Sequence, residues 1–102
     1  MEQRRTRRFT LQLPLSITRA GAQRVTVSGV TRNISSTGVL FTSEAQPDLG
    51  GPIEYIIALN HDNAQVVNLR CVGKVVRAER MENGKVSHQV AATLERYEFV
   101  RP

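Results

Sequence analysis

At 102 residues, with 40% apolar and 23% charged side chains, the chain holds one domain with one modest core and is too short for two. A single cysteine excludes an internal disulfide and a cysteine metal cluster, and no stretch approaches the roughly 20 apolar residues of a membrane helix. The net charge of +5 is uneven: residues 1–33 hold seven arginines against Glu2, a balance of +6, while residues 34–102 hold seven basic and eight acidic side chains, a balance of −1. An anionic partner for the N-terminal third is therefore the first expectation.

The chain opens on "RRTRRF", four arginines in residues 4–9 closed by Phe9. The following "FTLQLPLSI" is interrupted by Gln12 and Pro14, so it is not the apolar core of an export signal. With the lone cysteine, this reads as a soluble, cytoplasmic chain. In "LQLPLSIT" Leu11, Leu13, Leu15 and Ile17 share one face of a strand, and Pro14 points away, as suits an irregular or edge strand. "RVTVSGV" continues with Val25 and Val27, and Gly29 is expected to allow a bulge that shifts the inward phase to Val30. "NISSTG", Asn33 to Gly38, has the composition of a turn.

Beyond it, "GVLFTS" puts Val39 and Phe41 together. After the turn-rich "QPDLGG", "PIEYIIAL" does the same for Ile53, Tyr55, Ile57 and Leu59. Cys71 lies in the apolar run "VNLRCVGKVV" and reads as a small buried hydrophobe. Asn83-Gly84 marks a two-residue hairpin turn, after which Val86, His88, Val90, Ala92 and Leu94 share a face. Only the final "ERYEFVRP" admits a short helical turn. The expected fold is all-β: a small six-stranded antiparallel barrel at residues 10–96, a flexible basic arm at 1–9, a tail at 97–102, and little or no C-terminal helix.

Catalysis finds little support. His61 sits in a polar connection, and His88 reads as a rim residue hydrogen-bonded locally. Asp62 lacks the spacing of a calcium loop, and no Gly-rich phosphate loop opens a helix. No enzyme activity, metal or cofactor is expected. Two segments remain: the arm, with Arg4 and Arg8 separated by three residues, and the turn with Asn33, Ser35 and Gly38.

In this order the two segments resemble the signature of the PilZ domain, a bacterial receptor module for the second messenger cyclic di-GMP. That signature is an RxxxR arm before the first strand and a [D/N]xSxxG turn further on. "LPLSI", "GVLF" and "GKVVRAE" match the family's supporting strands. The resemblance implies cyclic di-GMP as ligand, with Arg4, Arg8, Asn33, Ser35 and Gly38 binding it. Arg5 adjoins the motif. Arg77 lies where some relatives pack a residue on a guanine. Arg32 ranks below these, and Arg7 is assigned to solvent.

Guanidinium suits this ligand, because it forks onto guanine O6 and N7, stacks on a base or pairs with a phosphate. Asn33 offers donor and acceptor to a guanine edge where most of the family present a carboxylate. Ser35 has a short hydroxyl suited to a base edge or phosphate. Gly38 is expected to let the backbone turn and approach closely, and Ile34 to plug the core. Ala91 and Ala92 stand where many relatives carry glycine, and the eight residues after Leu94 leave no room for the long C-terminal helix frequent in the family. The resemblance also implies an unidentified downstream protein partner.

Two other readings stay open: a basic barrel that binds nucleic acid through its arm, and a PilZ-like interaction module that does not bind nucleotide. Against the first, the chain has three phenylalanines, two tyrosines and no tryptophan, and Phe41 and Tyr55 fall on core faces. Few aromatic platforms are left for stacking bases.

Overall fold

The computed structural model describes residues 9–10, 12–60, 66–83 and 85–100, and its regular structure there is all strand. The strands are β1 (Phe9–Thr10), β2 (Pro14–Ala20), β3 (Gln23–Ile34), β4 (Gly38–Ser43), β5 (Pro52–Asn60), β6 (Val66–Asn83), β7 (Lys85–Thr93) and β8 (Arg96–Val100). Six of them close a ring of antiparallel pairs, β3–β2–β5–β6–β7–β4 and back to β3. This is the expected six-stranded barrel, with β1 added beside β3 and β8 beside β6.

Closure depends on strands that change partners along their length. β3 pairs β2 through residues 23–30 and β4 through 29–34. β6 pairs β5 through residues 66–74 and β7 through 75–83. Extra residues sharpen the bends: Thr18 of β2 against β5, Arg32 of β3 against β4 and Val76 of β6 against β7 each fall at a register shift, where a bulge increases local twist. Gly73 sits at the corner where β6 leaves β5 for β7. A Cβ there would lie 1.8 Å from the Thr93 carbonyl oxygen, so only glycine fits.

The inward faces are those that alternation predicts. Leu15, Ile17, Val39, Phe41, Ile53, Tyr55, Ile57, Cys71, Val75, Val90 and Ala92 form the buried core, with Leu13, Val25, Val27 and Ile34 packed against it. Phe41 and Tyr55 meet with ring centroids 5.8 Å apart, and the Tyr55 hydroxyl donates to the Thr93 carbonyl at 3.1 Å, satisfying its one polar atom. Burial pushes the Cys71 thiol up to about 12. Burial, with Cys71 and Glu95 nearby, also raises the Tyr55 phenol well above its ordinary range.

Several expectations are corrected. The phase of β3 does not change at Gly29: Thr31 is buried and Val30 is 43% exposed, because the bulge falls three residues later, at Arg32. Residues 96–100, read as tail or helical turn, are strand β8 paired to β6. The hairpin at Asn83 exists, but the pair Asn83↔Lys85 centres it on position 84 rather than on the 83–84 bond; Gly84 itself lies outside the described residues. His88 is half-buried, and its buried Nδ1 has no hydrogen-bond partner, so the local bond expected of it is not formed.

Gly73→Ala should cost about 2–3 kcal/mol or more, the upper range for forced overpacking, read as a lower urea midpoint. Stability should also fall with alkali. Cys71 and Tyr55 keep their protons in the native state at pH values where the unfolded chain releases them. Their contribution is complete below about pH 9, the ordinary thiol value, and is lost as pH rises toward 12. Denaturant midpoints taken across that range should decline, and Cys71→Ala should lessen the decline.

Candidate ligand-binding site

The turn after β3 owes its geometry to the bulge. Thr31 pairs with Phe41, then Asn33 with Leu40 and Ile34 with Val39, leaving Arg32 as the extra, exposed residue. Thr31 and Ile34 thus both face the core, while Asn33 joins Leu40 on the outer face. The row continues across the sheet through Leu40↔Ala91 and Ala91↔Arg77. Four strands therefore place Asn33, Leu40, Ala91 and Arg77 side by side on the outside of the barrel.

Ser35 organises the turn. Its Oγ accepts from the Thr37 amide at 3.3 Å and the Gly38 amide at 3.2 Å and lies 3.2 Å from the Gly38 carbonyl. The Ser35 amide donates to that carbonyl at 2.9 Å. Gly38 does not serve the turn through a left-handed backbone: among the described glycines the positive φ values are those of Gly21 and Gly50. Its glycine character answers a close approach instead, since a Cβ would stand 3.0 Å from the Ala92 carbonyl oxygen across the β4–β7 pair.

Over this row lies a depression of about 280 Å³. Asn33, Ser35 and Gly38 form one wall, Arg77 and Val76 the other, and Leu40 and Ala91 the floor. Val76 is the bulged residue of β6 and is 57% exposed. Arg77 is the one charged residue among those lining it, so the depression favours an anion that also presents an apolar face. A larger cleft of about 590 Å³ lies between Glu54, Arg70, Arg96 and Glu98. There Arg70 and Glu98 pair directly, so its charges answer one another and the volume alone does not make it the better site.

The structure thus gathers four of the residues singled out in the sequence, Asn33, Ser35, Gly38 and Arg77, in one concavity. Arg4, Arg5, Arg7 and Arg8 lie outside the described residues, as do His61 and Asp62. The described chain begins at β1, whose pairs are Phe9↔Ile34 and Thr10↔Asn33. Leu40, Val76 and Thr93 were not expected to line the site. Val75-Val76 did carry a signal, because two successive apolar residues break the alternation of β6 and mark its bulge. Among the described residues no three His, Cys, Asp or Glu side chains group to hold a metal, and no helix is long and apolar enough to cross a membrane.

Comparison with known proteins gives one family: the model of the PilZ domain matches residues 2–99. No curated protein matches the chain.

Ser35→Ala removes the acceptor of two amides and should lower stability by about 1 kcal/mol, measured as a shift in urea midpoint with unchanged slope. Thr31→Val should cost about 1–3 kcal/mol by stranding the Leu13 amide, which now donates to Thr31 Oγ1 at 2.8 Å.

Proposed function

Because the chain belongs to the PilZ domain family, a family of cyclic di-GMP receptors, we propose that it binds cyclic di-GMP on the outer face of the barrel, over the row from Asn33 to Arg77. The observation that carries this reading is the pairing of Thr10 with Asn33. Arg8 precedes Phe9 in the chain, and Phe9 itself pairs with Ile34 at the entry to the turn that holds the second motif.

The chemistry of each part fits the ligand. Arg4 and Arg8, with Arg5 beside them, fork onto guanine edges and phosphates. Asn33 meets a guanine edge with its amide. Ser35 holds the turn closed and presents its hydroxyl at that wall. Gly38 keeps β4 close to β7, so that the floor of Leu40 and Ala91 is shallow enough for a flat base. Arg77 closes the far end of the row as a stacking or phosphate partner.

Binding orders the arm, at a cost of about 1–2 kcal/mol per residue fixed. The ordered arm forms a new surface that a downstream protein reads, a population shift by differential contact. In this reading the protein is a receptor in the cytoplasm of a bacterial cell, with no catalytic step and no cofactor besides its ligand.

Calorimetric titration with cyclic di-GMP tests this. Saturable binding is expected, lost in Arg8→Ala, weakened about 10- to 100-fold in Asn33→Ala and retained in Arg7→Ala. No heat with cyclic di-GMP, together with salt-sensitive binding to random oligonucleotides, would replace the receptor reading with that of a nucleic-acid binder.

A further inference from the structure

β8 runs on from β7 along the same edge of β6. β7 pairs residues 75–83 of β6, and after Leu94 and Glu95 β8 pairs residues 68–72. The far side of β7 is covered by β4. The far side of β8 is paired by no strand among the described residues, so it presents open backbone donors and acceptors.

The side chains along that edge are of two kinds. Tyr97 and Phe99, on one face, are 60% and 67% exposed and form an edge-to-face pair with centroids 6.3 Å apart. Arg96 and Glu98 alternate with them, and Glu98 is held by Arg70 of the same chain. An exposed aromatic pair beside an open edge needs a partner that supplies both a strand and apolar area.

We infer that β8 pairs antiparallel with β8 of a second copy of this chain, about a two-fold axis through Tyr97. The charge pattern selects this register. With Tyr97 opposite the partner's Tyr97, Arg96 stands opposite the partner's Glu98 and Glu98 opposite the partner's Arg96. Each two-fold pair thereby extends the Arg70–Glu98 contact into a line of alternating charges. On the other face the two tyrosines meet directly, and each Phe99 reaches the opposing tyrosine along the diagonal. The next register of the same side-chain parity, centred on Glu98, would set Glu98 against the partner's Glu98, and like charges directly opposite are unfavourable.

The contact is isologous, so a dimer consumes both open β8 edges and growth stops at two. No residue of β8 lines the depression that holds Asn33 and Arg77, and this inference does not rest on the nucleotide reading.

Sedimentation equilibrium of the full chain, from about micromolar to about millimolar, with two charge reversals is the test. The unmodified protein should show a monomer–dimer equilibrium. Arg96→Glu and Glu98→Arg, each alone, should set like charges opposite twice and raise the dimer dissociation constant about tenfold or more. An equimolar mixture of the two should recover the dimer, because each reversal then faces its complement. The side chains of Arg70 and Glu98 are about half exposed, so losing their pair should leave the fold intact, as thermal melts would verify.

An independent variant, Tyr97→Cys, made together with Cys71→Ala because Cys71 is the cross-strand partner of Tyr97 within the chain, should form a disulfide between copies on oxidation, since opposed residues of an antiparallel pair lie within bridging distance. Leu49→Cys, in an exposed loop, should not. A protein monomeric up to about millimolar, single reversals that dimerise like the parent, a mixture that stays monomeric, or a Tyr97→Cys that does not cross-link faster than Leu49→Cys would each overturn the inference.

Discussion

Thr31 is the residue on which the geometry of the site turns. It is a polar side chain in the core, and it is accepted there because its hydroxyl takes the Leu13 amide at 2.8 Å while its own amide donates to the Leu13 carbonyl at 2.9 Å. A buried hydroxyl without such a partner would cost about 1–3 kcal/mol. The two bonds hold the entry to β2 against the end of β3. They also hold Thr31 inward immediately before the extra residue Arg32, so the chain must rotate there for Ile34 to face inward as well. Asn33 is left on the outside, and β1 is left alongside it. A sheet that kept its alternation through Arg32 would turn Asn33 into the core.

Much of this was legible in the residues. Strict period-two alternation identified the inward faces of β2, β4 and β5, and Cys71 was recognisable from its apolar neighbours. The chemistry of "NISSTG" marked a turn whose serine closes on Gly38. What stayed hidden depended on neighbours distant in sequence. The bulge at Arg32 is caused by Thr31 meeting Leu13, eighteen residues away. Gly38 was expected to let the backbone turn and approach closely, but the group it approaches, a β7 carbonyl more than fifty positions on, could not be read from the sequence. β8 escaped notice because its five residues alternate charge with aromatics, and its strand character comes from the edge of β6.

The two concavities differ in chemistry more than in volume. In the larger cleft Arg70 and Glu98 are already paired, so a ligand charged to engage either would have to break that attraction first. The smaller depression has an apolar floor, polar groups at one wall and a single cation at the other. A ligand with flat bases and phosphates can engage each without displacing an existing partner of the cation. The two strands that carry the floor, β4 and β7, are hydrogen-bonded along both edges, which fixes the floor between the walls.

The closed ring also has a kinetic meaning. One wall and half the floor of the depression come from residues 33–40, the rest from residues 76–93, and they become adjacent only when β4 meets β7. Contacts that span half a chain form late, because loop closure must precede them. The concavity therefore exists only where β4 and β7 are paired, and a fragment that lacks either strand does not contain it. A molecule that fits it selects the finished barrel alone and stabilises it by mass action. Occupancy of this site is then also a measure of how much of the chain has completed its fold.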